Sequence, residues 1–268
     1  MEVQRYLDRI SFKGKLHLNI DTFRQLHRAH ALAVPYENLD VQFGAPVTRR
    51  AEDAYEKIVM RGRGGWCYEM NGLFGWALEE IGFDVRHLAG AVMRDVAGDN
   101  VIGNHLVLIV GIKGQNWVGD VGFGDGFIEP QPLRDGAIKV GPLDCELTQL
   151  DNGWWRYFND ARSGGPNFDF NLEINDETLL EDRCQFLQSD PASPFVQNAV
   201  VQRWSNNAHH SMRGRVLRKL TASADTKTLV ESADEYVTIL KDVFSLDLPE
   251  AASLWPRICA RHDEIFNS

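Results

Sequence analysis

The amino-acid sequence predicts an α+β protein in three parts: a helical first part, a strand-rich middle part and a final part that mixes both. Apolar residues up to Ile81 recur every three or four positions, which is typical of helices packed on a core. From Phe83 onward the period changes to short alternating or β-branched runs. Strands and a capped helix both follow the Asp190-Pro191 break. We therefore expect domains at residues 1–84, 85–190 and 191–268.

Two capped helices and a longer one account for the first part. Asp21 is predicted to cap the first helix and Thr48 the second, because a short polar side chain can accept from the free N–H groups of a first turn. Glycines at positions 62, 64 and 65 then interrupt the pattern. The clearest helix follows and ends at Gly82, and its apolar stripe consists of Met70, Leu73, Phe74, Ala77, Leu78 and Ile81.

Short strands dominate the middle part. Residues 83–86, 105–112, 116–121 and 154–158 read as strands, and short turns rather than long helices join them. That connectivity favours an antiparallel or barrel-like sheet over a doubly wound parallel one. A helix is predicted at 177–188, and Asp190-Pro191 ends it.

A small sheet and two helices are predicted for the final part. Residues 199–204, 212–217 and 227–230 read as strands, and His209-His210 is assigned to a loop with no third metal ligand nearby. Ser232 and Glu235 form a capping-box pattern at the start of the next helix. Leu248-Pro249 separates it from a last helix.

Composition narrows the possible partners. The chain has 268 residues, 44% of them hydrophobic, which is enough for one or more packed cores. With 28 Lys and Arg against 38 Asp and Glu, the net charge of −10 disfavours nucleic acid and acidic lipid surfaces. No signal-peptide pattern or membrane-length apolar run is recognised, so a soluble, cytoplasmic protein is expected. The sequence leaves the oligomeric state open.

Cys67 is the candidate nucleophile among four cysteines that lack metal-site spacing. It follows Gly64-Gly65 and begins the strongest predicted helix, where free N–H groups and the helix dipole favour a thiolate. We therefore expect the pKa of this thiol to be lowered. The same N–H groups could hold the oxyanion of a tetrahedral intermediate. A cysteine that merely packs beneath the helix is the alternative.

His105 and Asp120 are the candidate base and orienting group. His105 begins the strongest predicted strand, and Asp120 ends the next one. If these strands pair through a turn at residues 113–115, both side chains fall at the same end of the sheet. With Cys67 they would form a Cys-His-Asp arrangement suited to acyl transfer, although the spacing does not name the acyl group.

Several motifs resemble those of the arylamine N-acetyltransferases. The residues around the cysteine resemble the active-site signature of that family: Arg63-Gly64-Gly65-Trp66-Cys67-Tyr68-Glu69-Met70-Asn71. Further segments resemble its Pro-Phe-Glu-Asn-Leu stretch, histidine strand, aspartate turn and interdomain segment, in the same order: Pro35-Tyr36-Glu37-Asn38-Leu39, His105-Leu106-Val107-Leu108, Asp120-Val121-Gly122-Phe123-Gly124 and Ser193-Pro194-Phe195. Tyr36 replaces the usual Phe.

The resemblance implies a catalytic core related to papain-like and transglutaminase proteins, with the third, α/β domain acting as a lid. It places Cys67, His105 and Asp120 on the catalytic triad. The candidates for substrate binding are Tyr36, Asn104, Phe123, Gly124 and Phe195. No metal and no tightly bound cofactor are expected, because acetyl-CoA acts as a co-substrate that donates the acyl group.

The implied reaction is a ping-pong transfer of acetyl from acetyl-CoA to an arylamine or hydrazine through acetyl-Cys67, an activity of xenobiotic metabolism. The CoA phosphates need local cations, and the candidates are Arg213, Arg215, Arg218 and Lys219. The alternative is that these four residues are simply the solvent-exposed charges of a strand edge. Two other functions stay open on the residues alone. One is a transglutaminase-like or papain-like thiol hydrolase, and the other is a catalytically silent binding module.

Overall fold

The first part of the chain is helical, as expected, in the computed structural model, which describes residues 1–266. Its helices and one short strand are α1 (Val3–Arg9), α2 (Ile20–Ala33), β1 (Tyr36–Glu37), α3 (Leu39–Phe43), α4 (Ala51–Tyr55) and α5 (Cys67–Ile81). A π-helical turn, Glu56–Met60, extends α4. Gly82, in the left-handed region at φ +106°, ends α5 as predicted.

The two predicted caps of the first helices are wrong. Helix α2 begins two residues earlier than expected, so the Asn19 side chain accepts from the backbone N–H of Thr22, and Asp21 lies inside the first turn. Thr48 lies two residues before Arg50, the N-cap position of α4, and its hydroxyl donates to Asp53 instead. Each predicted cap lies two residues from the observed N-cap position, so neither Asp21 nor Thr48 occupies it.

The middle part forms one eight-stranded antiparallel, barrel-like sheet in the order β5-β4-β3-β2-β9-β8-β7-β6. Its elements are β2 (Asp84–Val92), α6 (Arg94–Ala97), β3 (His105–Ile112), β4 (Gln115–Val118), β5 (Gln131–Pro132), β6 (Gly136–Val140), β7 (Leu143–Gln149), β8 (Trp154–Phe158) and β9 (Phe168–Asn171). The structure confirms the strands at 105–112 and 154–158. The strand predicted at 116–121 ends at Val118, so Asp120 lies in the loop that follows it.

Helices α7 (Glu177–Ser189) and α8 (Pro194–Gln197) lead into a second sheet. This five-stranded antiparallel sheet has the order β1-β10-β11-β12-β13, with β10 (Val200–Trp204), β11 (His209–Arg213), β12 (Val216–Leu220) and β13 (Asp225–Leu229). Helix α9 (Ala233–Asp242) packs on it, and α10 (Trp255–Phe266) follows. The Ser232 hydroxyl accepts from the N–H of Glu235, which confirms the Ser232 half of the predicted capping box. The Glu235 carboxylate accepts from the N–H of Glu231 instead of that of Ser232.

Two expectations for this sheet are wrong. The single strand predicted at 212–217 is a hairpin, because Gly214 adopts φ +56° and the chain reverses between Arg213 and Val216. His209-His210 opens strand β11 and is not in a loop.

Three buried apolar clusters support these elements. One joins α1, α2 and α5 to β3, the second lies within the eight-stranded sheet, and the third lies between the five-stranded sheet and α9. The α+β class is therefore confirmed. Strand β1 comes from the first 84 residues yet pairs with β10 of the last sheet, and the domain boundaries themselves stay predictions.

None of the helices within residues 1–266 combines the length and the apolar character that a bilayer-spanning segment needs.

Candidate active site

Cys67 is the first residue of α5 and is 3% exposed. Its loop packs closely against β1, since a Cβ on Gly64 would lie 2.1 Å from the carbonyl oxygen of Pro35. Across the site, a Cβ on Gly122 would lie 2.9 Å from the Cα of Cys67, so only glycine allows the aspartate loop to approach the nucleophile. These two contacts fix the backbone on either side of the thiol.

His105 and Asp120 meet at the same end of the sheet, as the hairpin argument predicts. Strands β3 and β4 pair antiparallel with Ile112 opposite Gln115, and the Nε2 atom of His105 lies 2.5 Å from Oδ2 of Asp120. Both side chains are buried, at 2% and 0% exposure. A short hydrogen bond between buried groups fixes the ring orientation and its tautomer.

Asp120 is held as a carboxylate. Burial alone would raise its pKa, but the His105 imidazole and hydrogen bonds from the Asn71 side chain and the Gly122 N–H keep that pKa below its ordinary value. The Nδ2 atom of Asn71 and the backbone nitrogen of Gly122 lie 2.7 and 2.8 Å from Oδ1 of Asp120. A permanently charged carboxylate stabilises a cationic imidazole.

The prediction that the helix start lowers the pKa of Cys67 is wrong. Burial raises the pKa of this thiol, and the nearby Cys184 and Asp120 act in the same direction, whereas backbone hydrogen bonds at Leu106 and Tyr68 oppose them. Because desolvation penalises the charged form, it outweighs the helix start here. The buried thiol keeps its proton and needs a base. Leu106, whose backbone it contacts, directly follows His105 in the chain.

Sequence reasoning missed two residues that hydrogen-bond to the elements carrying the predicted triad. Asn71 lies one turn beyond Cys67 on the same face of α5, donates to the carbonyl of Leu106 at 2.6 Å and accepts from the N–H of Val121 at 2.9 Å. His27 on α2 lies 3.1 Å from the carbonyl oxygen of Asp120. The spacing of four between Cys67 and Asn71 could have indicated the first. Nothing local marks the second, which is 93 residues from Asp120.

The predicted substrate-binding residues fall into two groups. Tyr36, Phe123 and Gly124 line a narrow cavity of about 10 Å³ together with Asp120. The Phe123 ring meets the His105 ring edge-on, with centroids 5.4 Å apart. This cavity is far smaller than the usual ligand pocket and has room for about one water molecule.

Asn104 and Phe195 lie elsewhere. The Asn104 amide bonds both to the N–H and to the carbonyl of Val92, at 2.7 and 3.1 Å, and so joins β2 to the start of β3. The Phe195 ring packs edge-on against Trp66 at 5.3 Å. Neither is among the residues that line the narrow cavity within the described chain.

A larger cleft of about 360 Å³ lies on the five-stranded sheet beside α10. Arg213 and Arg218 line it, as do Lys227 and, from α10, Arg257 and Arg261. The other two predicted cations point elsewhere. Arg215 lies over the Trp255 ring at 5.4 Å and donates to the Val230 carbonyl, and Lys219 adjoins Arg218 on strand β12, where successive side chains face opposite sides.

Comparison with known proteins identifies the family. A family model described as N-acetyltransferase matches residues 19–253. The arylamine N-acetyltransferase of Mycolicibacterium smegmatis is 31% identical over 272 residues, which cover 94% of each chain. The chain belongs to the arylamine N-acetyltransferase family.

Further family members agree in sequence and in structure. The Escherichia coli arylamine N-acetyltransferase is 33% identical over 260 residues, covering 94% of this chain and 85% of that one. The Mycobacterium marinum arylamine N-acetyltransferase, solved in complex with CoA, superimposes with a TM-score of 0.86 at 30% identity and covers 98% and 99% of the two chains. The arylamine N-acetyltransferases are acyltransferases, so the predicted enzyme class is confirmed.

Proposed function

We propose that the chain transfers acetyl from acetyl-CoA to the nitrogen of an arylamine or hydrazine through an acetyl-Cys67 intermediate. The short His105–Asp120 hydrogen bond beside the first turn of α5 carries this proposal. It supplies an oriented base for a thiol whose pKa burial raises, and the loop after Asp120 approaches the residue of that thiol, since a Cβ on Gly122 would lie 2.9 Å from the Cα of Cys67.

In the first half-reaction the Nδ1 atom of His105 takes the thiol proton while Nε2 stays bonded to Asp120. The sulfur attacks the thioester carbonyl, backbone N–H groups at the start of α5 stabilise the oxyanion, and the carbon–sulfur bond to CoA breaks. The imidazolium returns its proton to the departing CoA thiolate. Asp120 stabilises the cationic ring between these steps and is not itself protonated.

In the second half-reaction the acceptor nitrogen attacks acetyl-Cys67. His105 takes a proton from that nitrogen, the carbon–sulfur bond to Cys67 breaks, and the proton passes to the departing thiolate. Arylamine nitrogens are weakly basic and stay neutral near pH 7, so the rings of Tyr36 and Phe123 beside Asp120 favour them over charged alkyl amines and over water.

The basic cleft is suited to the phosphates of the acyl donor. Cross-strand pairs run from the narrow cavity to this cleft in one row, so their side chains share one face of the sheet: Tyr36–Gln202, Gln202–Ser211, Ser211–Arg218 and Arg218–Lys227. Four strand spacings span about 19 Å. A flexible pantetheine arm could follow this row, with the thioester near Tyr36 and the phosphates near Arg213, Arg218 and Lys227.

Intact-mass spectrometry tests the central step. Mixing the enzyme with acetyl-CoA alone should add one acetyl group, peptide mapping should place it on Cys67, and an arylamine should then remove it. No mass increase, or an acetyl group on another residue, would contradict the proposal. Cleavage of a peptide amide without CoA would favour the thiol hydrolase instead, and a Cys67 unreactive towards both acetyl-CoA and iodoacetamide would favour the silent binding module.

Charge reversal tests the donor site separately. Arg213→Glu with Lys227→Glu should raise KM for acetyl-CoA at least tenfold and leave the turnover of S-acetyl-N-acetylcysteamine, which has no phosphates, within about twofold. An equal effect on both donors, or none on either, would rule out the cleft as the phosphate site. Lys139→Glu is the matched control, because Lys139 is an exposed lysine on β6, in the other sheet.

A further inference from the structure

Five charged side chains lie together beneath the loop that leads to Cys67. This cluster, called the loop charge cluster below, consists of Glu37, Asp40, Lys57, Arg63 and Glu69. The most exposed of the five side chains, that of Asp40, is only 18% exposed. Three carboxylates face two cations, and buried charges persist only where they are paired and hydrogen-bonded. The cluster must therefore hold its members in fixed positions.

Lys57 is the centre of the cluster. Its Nζ atom lies 2.9 Å from a carboxylate oxygen of Asp40, 3.0 Å from Glu69 and 3.8 Å from Glu37. It is 3% exposed and projects from the π-helical turn Glu56–Met60. Single π-helical turns are rare and occur often at functional sites.

Glu69 connects this lysine to the nucleophile. Its carboxylate accepts from the backbone N–H of Trp66 at 3.2 Å and so caps the first turn of α5, which Cys67 begins. A Cβ on Gly65 would lie 2.8 Å from the Cβ of Glu69, so the glycine loop presses directly on this residue. A shift of Glu69 would therefore move the backbone on both sides of Trp66.

The position of the cap depends on the pairing of Glu69 with Lys57. Burial raises the pKa of Glu69 to about 7, Lys57 opposes that rise, and Glu37 and Asp40 add to it. Without the lysine, the Glu69 carboxylate would face Glu37 and Asp40 with no cation bonded to it, and repulsion between these like charges would displace it from the Trp66 N–H. Arg63 cannot replace it, because its guanidinium is bonded to Glu37 and Asp40 at 2.7 and 2.8 Å.

We infer that Lys57 is a positioning residue for the nucleophile. By pairing with Glu69 it keeps this cap on the first turn of α5, and it thereby holds the Cys67 thiol in position relative to His105. Lys57 touches neither thiol nor substrate in this arrangement and acts through Glu69. The inference rests on the proposed role of Cys67 as the residue that accepts the acyl group.

Lys57→Met, Glu69→Gln and the double variant test this role. Lys57→Met should slow acetylation of Cys67 by acetyl-CoA at least tenfold, with little change in KM, and should shift the pH profile of Cys67 alkylation by iodoacetamide. Glu69→Gln should slow the acetylation of Cys67 by less than about threefold, because the amide oxygen can still accept from the Trp66 N–H. Lys139→Met, which removes an exposed lysine paired with Asp144, should change neither measurement.

The double variant separates positioning from loss of structure. Glu69→Gln in the Lys57→Met background restores the original net charge of the cluster, so acetylation should recover at least tenfold over Lys57→Met and the alkylation profile should return towards that of the wild type. If Lys57→Met does not fold, an active double variant supports the inference on its own. A folded double variant with no acetylation, or a Lys57→Met enzyme with wild-type acetylation and alkylation, would overturn it.

Alkylation also separates this inference from the proposed function. Iodoacetamide reports the position and protonation of the Cys67 thiol whether or not acetyl-CoA is the donor. A wild-type enzyme that is alkylated at Cys67 but not acetylated would contradict the proposed function. An unchanged alkylation profile in Lys57→Met, beside normal acetylation of the wild type, would contradict only the role of Lys57.

Discussion

Replacing Asp120 with asparagine isolates the orienting role of its charge. Two donors, the Asn71 amide and the Gly122 N–H, converge on Oδ1 of Asp120, so the oxygen of an asparagine would stay there and its NH₂ group would face His105. An NH₂ group cannot accept a hydrogen bond, so Nε2 of His105 would have to become the acceptor and the ring proton would move to Nδ1. The nitrogen that should take the thiol proton would then already carry one.

We expect Asp120→Asn to slow acetylation of Cys67 by about 10⁴-fold, the loss seen when the corresponding aspartate of a serine protease becomes asparagine. That factor corresponds to about 5 kcal/mol of activation free energy. Rapid-quench intact-mass measurement of acetyl-enzyme formation gives the rate directly. An Asp120→Asn enzyme that acetylates within tenfold of the wild-type rate would refute the tautomer argument.

Asp169→Asn is the matched control. Asp169 is also buried, at 1% exposure, and pairs with Arg94 and Arg156. It lies on β9 next to Phe168, whose ring packs on His105, but successive side chains of a strand face opposite sides of the sheet. This variant should lose stability yet acetylate within about threefold of the wild-type rate, because no triad hydrogen bond involves it. If Asp169→Asn slowed acetylation as much as Asp120→Asn does, the removal of any buried charge would disable the enzyme, and the effect of Asp120→Asn would not be specific.

Three further outcomes are expected. Cys67→Ser should bind acetyl-CoA in a thermal-shift assay yet form no acetyl-enzyme by mass spectrometry, since a hydroxyl lacks the acidity and softness of a thiol; a tenth of the wild-type rate would count against the nucleophile. Asn71→Ala should cost about 2–4 kcal/mol in urea unfolding, because it leaves buried partners unsatisfied; a loss below 1 kcal/mol would contradict that role. Burial lowers the pKa of His30 well below its ordinary value, with His27 and Arg9 adding to the effect. Since the unfolded state binds that proton more readily, stability should fall as pH drops below about 6.5. His30→Gln should flatten this decline in urea titrations from pH 7.5 to 5, and an unchanged slope would exclude His30 as its source.

The sequence predicted the elements whose pattern is local. Helix α5 and strands β3 and β8 have long apolar stripes or runs, and the hairpin between β3 and β4 brings His105 to Asp120 as expected. Strands β6 and β7 were missed, although Leu143, Cys145 and Leu147 alternate with exposed residues along β7. Their polar outer faces make them weaker signals than β3, which is buried along almost its whole length.

Tertiary burial explains what the sequence could not predict. Helix-start chemistry alone suggests an acidic thiol at position 67, but the raised pKa depends on how completely the aspartate loop and β3 cover that thiol. Lys57 reads as an ordinary helix lysine, and only the fold surrounds it with three carboxylates. Asn104 adjoins the catalytic histidine in sequence, yet its amide is bonded to strand β2.

The short strand β1 has a consequence for how the enzyme matures. Tyr36 pairs with Gln202 on one side and bridges to Gly65 on the other, so a strand that follows the first 199 residues supports the loop in front of Cys67. A nascent chain emerging from the ribosome lacks that brace until most of its length has been synthesised. Acyl-transfer competence should therefore arise late in translation, and fragments released early should be inert towards thioesters in the cell.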